Sequence, residues 1–193
     1  MESRPRCGLF PLLERQSANT FSQTPFKLRG SPAALRQYTV KHNEVLSLLI
    51  NWLWSCLAAD LLIYADLPGS DIVPVGDLFN SFRPDIAVAD DNSICTLELT
   101  VCHETNLISS RNYKHNKYKD ISACGSTLAG NRKITSHTIE ISTLGFMSNI
   151  SDFIKVIRIP QMAFSTKQAI ITTVLKSSFG IYCKRNNAAI EAA

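Results

Sequence analysis

Two apolar runs separated by a polar turn constrain this chain more than any other feature. Ile86-Ala87-Val88-Ala89 and Ile94-Cys95-Thr96-Leu97-Glu98-Leu99-Thr100-Val101 flank Asp90-Asp91-Asn92-Ser93. β-Branched and apolar residues in short runs, bounded by Asp, Asn and Ser, predict two strands of a hairpin. A two-residue turn at Asp91-Asn92 pairs residues whose numbers sum to 183, so Val88 faces Cys95 and Asp85 faces Glu98. Opposed side chains on antiparallel strands have Cβ atoms about 4.5–5.5 Å apart, a separation at which two carboxylates repel. A divalent cation between them removes the repulsion. Hard Mg²⁺ takes one or two carboxylates and completes its octahedron with water and substrate phosphate. The alternation agrees, with Glu98 and Thr100 on one face and Leu97, Leu99 and Val101 on the other. A one-residue slip would instead leave both acids in solvent.

The rest of the chain supplies the layers such a hairpin needs. Residues 1–31, with Pro5, Pro11, Pro25 and Gly30 and no sustained period, read as a flexible arm. From Pro32 a helix begins. Val45, Leu49, Trp52, Leu53 and Cys56 mark one face, and Leu46, Leu48, Ile50 and Leu57 fill most of the rest, the pattern of a buried helix. A strand is expected near Leu61–Tyr64, a loop over Asp66–Asn80, and a basic-faced helix from Thr105 to about Gly125. Thr138–Ser142 reads as a strand closed by Gly145, with helical or mixed segments at Ser151–Ile157 and Thr166–Ser178 and a frayed tail over 186–193. The expectation is one α/β domain over 32–185, ordered α-β-β-β-α-β, with a mixed sheet of about four strands flanked by helices. A chain of 193 residues with 45% hydrophobic content can bury the core this requires.

Charge is unevenly spread. Residues 60–104 hold nine acids against Arg83 alone, a net −8, between flanks of +4 and +8. An acidic centre between basic segments suits a carboxylate metal site among phosphate-binding surfaces. The six cysteines form no CxxC, which excludes a zinc ribbon and favours a reducing compartment. Cys102-His103 beside Glu104 likewise lacks zinc spacing. Val45–Ala59, the longest uncharged apolar stretch, is shorter than a bilayer span and carries Asn51. Gly8 to Leu13 is too short and broken for a signal peptide. The chain is therefore expected to be intracellular, nuclear or cytoplasmic, neither secreted nor in a membrane.

Arg83-Pro84-Asp85, with Glu98-Leu99-Thr100-Val101 following 13 positions after Asp85, resembles the core of the PD-(D/E)XK nuclease superfamily. Thr100 stands where that family has its lysine. The departure resembles one subgroup, the restriction-like endonuclease domains of non-LTR retrotransposons and related stand-alone animal proteins, in which the lysine has moved to the following helix. Lys41-His42-Asn43 is similar to their Arg-His-Asn, and Lys114-His115-Asn116-Lys117-Tyr118 to their Lys-x-x-Lys-Tyr. Ile139-Glu140-Ile141 with Gly145-Phe146 is similar to the strand and Gly-Phe that follow, so the resemblance covers about residues 38–146.

The resemblance implies a restriction-endonuclease-like core and a retroelement-derived, Mg²⁺-dependent endonuclease acting on DNA, with Mn²⁺ able to substitute. Asp85, Glu98 and the Leu99 carbonyl would hold the metal, with Glu44 as an accessory ligand from the first helix. Lys114 and Lys117 are both candidates to orient the water. On an ideal helix Lys114 lies about 60° from Arg111 and about 40° from Tyr118, and Lys117 about 60° to its other side. Lys41, His42, Arg111 and Lys119 would contact nucleic acid, and Thr100, Glu104 and Tyr118 would support the site. Without a base-reading motif, sequence specificity would be low or would come from a partner or from a homodimer. The competing reading is a nucleic-acid-binding or scaffold protein that keeps the fold and has lost cleavage. Such a protein has no reason to retain opposed acids facing phosphates.

Overall fold

The computed structural model describes residues 32–70, 83–128 and 132–191. All belong to the compact unit Ser31–Ala193. The expected arm and residues 71–80 of the expected loop lie outside the described residues. Helix α1 (Pro32–Cys56) leads into strands β1 (Leu62–Ala65), β2 (Ile86–Ala89) and β3 (Ser93–Cys102). A single 3-10 turn (Glu104–Asn106) opens helix α2 (Leu107–Leu128). Strand β4 (Lys133–Ser142) and helices α3 (Ser151–Ile157) and α4 (Phe164–Glu191) complete the order. The fold is α/β: one four-stranded mixed sheet, β1-β2-β3-β4, with helices against it, consistent with a restriction-endonuclease-like core.

The hairpin sets this arrangement. Its register is Ile86↔Leu97, Ala87↔Thr96, Val88↔Cys95 and Ala89↔Ile94, as the turn chemistry predicted. Asp90 closes the turn with its side chain, accepting from the backbone N–H groups of Asn92 and Ser93 and from Ser93 Oγ. That is the local hydrogen bonding for which Asp is favoured in turns. β3 then pairs parallel with β4, residue for residue from Ser93↔Lys133 to Cys102↔Ser142. Parallel neighbours need a long crossover, which α2 supplies.

Being covered on both faces, β3 is buried without a break from Ile94 to Leu99. Leu97 and Leu99 join Leu46, Leu49 and Leu53 of α1, Ile139 and Ile141 of β4, Phe153 of α3 and Ile170 and Val174 of α4 in one core. Each such side chain contributes about 1.5–3 kcal/mol by leaving water. Thr96 and Glu98 therefore point to the other face, beneath α2. After β4, Gly145 takes φ 98°, and a Cβ there would come within 3.2 Å of Ile171 Cγ2. The turn it permits brings Met147 back to bridge Ile141.

Two elements are longer than the sequence pattern suggested. β4 begins at Lys133, because Thr135–His137, too polar to read as strand, pairs with β3, and Thr96 Oγ1 donates to Ser136 Oγ at 3.0 Å. α4 runs on past Ser178 through Gly180 to Glu191, across residues expected to fray. Gly180 costs a helix about 1 kcal/mol relative to Ala, and burial of Ile181 next to it offsets the loss. Among the described residues no helix is long and apolar enough to cross a membrane.

Candidate active site

Asp85 precedes β2 by one residue, and Glu98 occupies the middle of β3, so the hairpin register opposes them as expected. Both carboxylates are held by main chain. The Asp85 N–H donates to Glu98 Oε1 at 3.2 Å, and the Leu99 N–H donates to Asp85 Oδ2 at 2.8 Å. Into the space between them α2 inserts Lys114, whose Nζ lies 2.9 Å from Asp85 Oδ2 and 2.8 Å from Glu98 Oε2. From α1, His42 Nε2 approaches Asp85 Oδ2 to 3.6 Å.

The rotation of α2, open in the sequence, follows from these contacts. Lys114 points at the acids. Lys117 lies outside, donating to the Tyr118 hydroxyl at 3.0 Å and sitting 4.8 Å from that ring's centroid. Tyr118 is itself buried, and its hydroxyl donates to the Arg83 carbonyl at 3.0 Å. The tyrosine of the Lys-x-x-Lys-Tyr pattern thus anchors the segment that carries Asp85. Arg83 is held from the other side by an ion pair with Asp66.

Burial and charge push the two acids apart. Burial would raise Asp85, but the His42 hydrogen bond and the Lys114 charge outweigh it and bring the carboxyl down to about 2. Glu98 moves the other way, to about 6, because burial and the Asp85 charge outweigh Lys114. Lys114 and His42, which burial alone would lower, are both raised, Lys114 by the two carboxylates and His42 chiefly by Asp85. Two nearby titratable groups with divergent pKa values are a recurrent property of catalytic sites.

The donor set suits magnesium. Two carboxylate oxygens already converge on one point, where Lys114 Nζ now sits. The β2–β3 register, continued outward, places Pro84 opposite Leu99. In an antiparallel ladder one residue's N–H and C=O face the same neighbour, and proline has no N–H to give. The Leu99 carbonyl therefore has no ladder donor on the edge where its N–H meets Asp85. Two carboxylates and a carbonyl are the hard oxygen ligands Mg²⁺ prefers. Among the described residues no group of three or more His, Cys, Asp or Glu side chains is placed to hold a metal.

Several expected residues lie elsewhere. Glu44 is two positions from His42 on α1, hence on nearly the opposite side, and its carboxylate accepts from Ser177 Oγ of α4 at 2.7 Å. It belongs to the α1–α4 contact. Lys41, expected to meet nucleic acid, is only 2% exposed and donates to Ser178 Oγ at 3.4 Å. Burial lowers its pKa. Glu104 Oε1 accepts from the Leu144 N–H at 3.1 Å, tying the start of α2 to the turn after β4. Lys119 is exposed on α2, and Thr100 is half-buried, opposite Glu140. Arg111 is committed to Glu140, with Nη2 2.6 Å from Oε2. Glu140 was read only as part of a strand. An acid between two isoleucines, in a strand next to the one that carries Glu98, is the signal that it is buried and partnered.

No family model and no curated protein matches this chain. The resemblance drawn from its motifs rests on the sequence alone.

Proposed function

We propose that this protein is a metal-dependent endonuclease that hydrolyses phosphodiester bonds in DNA, a PD-(D/E)XK-like enzyme whose lysine has moved to the helix after the second acid. The observation that carries the reading is Lys114 Nζ within 2.9 Å of both Asp85 and Glu98. In this reading a lysine from another element takes the role that a lysine at position 100, on the strand, has in the usual motif.

Asp85, Glu98 and the Leu99 carbonyl would hold Mg²⁺ or Mn²⁺. The bound ion supplies a Lewis acid and a water of lowered pKa. The chain's own residues do the rest. Lys114, its pKa raised, stays an ammonium through neutral pH. It acts by orienting water and stabilising negative charge on the phosphoryl oxygens, not by taking a proton. His42 holds the Asp85 carboxylate in place from α1. DNA would be the partner, recruited by the basic face of α2, with pairing of two copies as a source of specificity. A nuclear or cytoplasmic location belongs to the same reading.

One observation favours the binding-only alternative: Lys114 bridges the two carboxylates at 2.8–2.9 Å, an ion-pair cluster that would also serve a purely structural role. Incubation with supercoiled plasmid, branched DNA and single-stranded DNA, in Mg²⁺ or Mn²⁺ against EDTA, separates the two. Metal-dependent nicking supports the enzyme, and binding without cutting in any metal supports the scaffold.

A further inference from the structure

Beside the Asp85–Glu98–Lys114 cluster, the outer edge of β4 and the preceding turn of α2 enclose a polar cavity of about 390 Å³. Arg111, His115, Ser136, His137, Thr138 and Asn149 line it. Arg111 is 53% exposed, whereas the Glu140 carboxylate that holds it is 1% exposed. The guanidinium is thus fixed from beneath through Nη2, and half of the side chain stays open to solvent. His115 follows Arg111 by four positions and shares its helix face. The Ser136 hydroxyl and the Asn149 amide add neutral donors, while the Thr138 hydroxyl turns to the Glu140 carboxylate. His137 Nε2 is buried without a hydrogen-bond partner among the described residues, its ring set edge-on to Phe153. The carboxylate on this rim, Asp152, points to solvent and pairs with Lys155 at 3.4 Å.

A preset cation with surrounding neutral donors is a phosphate site. Its position says which phosphate. Thr138 pairs with Glu98 in the β3–β4 register, about 4.8 Å away across the ladder. Arg111 precedes Lys114 by about 4.5 Å along the axis of α2. The cavity therefore adjoins the reacting centre without overlapping it. We propose that it binds the backbone phosphate next to the scissile one on the same DNA strand, so that the substrate is gripped at two successive phosphates. This rests on the nuclease reading, and its test does not require cleavage.

The experiment is fluorescence anisotropy of a labelled oligonucleotide in EDTA, over a salt series, with wild type, His115→Ala, Asn149→Ala and the double variant Arg111→Gln/Glu140→Gln. The double variant removes cation and acid together, so that no buried charge is left unpaired. Lys167→Ala, at an exposed position of α4 that does not line the cavity, is the control. Affinity is expected to fall about tenfold in the double variant and severalfold in His115→Ala. The slope of log affinity against log salt should lose about one unit in the double variant, which a purely structural defect would not produce. Inorganic phosphate should compete only weakly if the ligand is a phosphate within a strand, and strongly if the cavity takes free phosphate, which would overturn the assignment. Wild-type affinity and salt slope in all three cavity variants would also overturn it. If the double variant does not fold, His115→Ala and Asn149→Ala carry the test. Loss of binding in a protein that never cuts would keep the cavity and discard the nuclease. Cutting with unchanged binding would do the reverse.

Discussion

Lys114 Nζ lies 2.8 Å from Glu98 Oε2, a carboxylate only 1% exposed. The two sit on different elements, α2 and β3, sixteen positions apart. The same ammonium reaches Asp85, so one cation bridges two acids that the hairpin forces together. Three charged groups in a mostly buried space are tolerable only as a set.

Lys114→Met should therefore destabilise the metal-free protein by about 3 kcal/mol, because it leaves two uncompensated acids. Added Mg²⁺ should restore much of the loss by replacing the missing positive charge. Lys117→Met, at an exposed side chain, should change stability by about 0.5 kcal/mol or less. Thermal unfolding with and without Mg²⁺ measures both.

The divergent acids predict a pH signature. The folded pKa of Glu98, about 6, is above its ordinary 4.5. Folding is thus penalised above pH 6 and relieved as pH falls toward 4.5, by about 2 kcal/mol. Asp85 is depressed to about 2 from 3.8. Its contribution, also about 2 kcal/mol, is complete above pH 3.8 and is lost as pH falls toward 2. His42, raised, adds stability below its unfolded pKa of 6.5, lost as pH rises through its folded value. Stability should rise from pH 7.5 to 5 and collapse below 4. Glu98→Gln should flatten the first part of this curve, and saturating Mg²⁺ should do the same in wild type.

Pro84→Ala would place an N–H opposite the Leu99 carbonyl and let the ladder close over it. Metal affinity should then drop about tenfold, the lower range for altering a group that supports metal ligands. Titration calorimetry with Mn²⁺ would read the change, and an unaltered affinity would remove Leu99 from the ligand set.

Gly145→Ala tests the packing after β4. A side chain at φ 98° whose Cβ meets Ile171 at 3.2 Å should cost about 1–3 kcal/mol. A chemical denaturation midpoint equal to wild type would mean that the turn relaxes without cost.

Much of this was legible before any coordinates. The hairpin register followed from Asp90-Asp91-Asn92-Ser93 and the alternation in β3, and both are local. So did the opposition of Asp85 and Glu98. The choice between Lys114 and Lys117 was not legible, because it depends on how α2 rotates over β3, and the Tyr118–Arg83 anchor that fixes the rotation joins residues 35 positions apart. Glu44 and Lys41 misled for a related reason. Their motif neighbour His42 does reach Asp85, but α4, whose full length the pattern understated, packs on α1 and takes up both side chains. Glu140 was hidden because a buried acid is recognisable only with its partner, and Arg111 is 29 positions away.

Single-turnover cleavage of plasmid DNA at saturating Mg²⁺, with Lys114→Met beside Lys117→Met, tests the central claim most directly. A cation that stabilises phosphoryl charge only in the transition state is worth about a hundredfold or more in rate. Lys114→Met should lose that much while binding DNA within a few fold of wild type, and Lys117→Met should stay within about tenfold in rate. Equal losses in the two variants, or a Lys114→Met protein that cuts at the wild-type rate, would contradict the assignment.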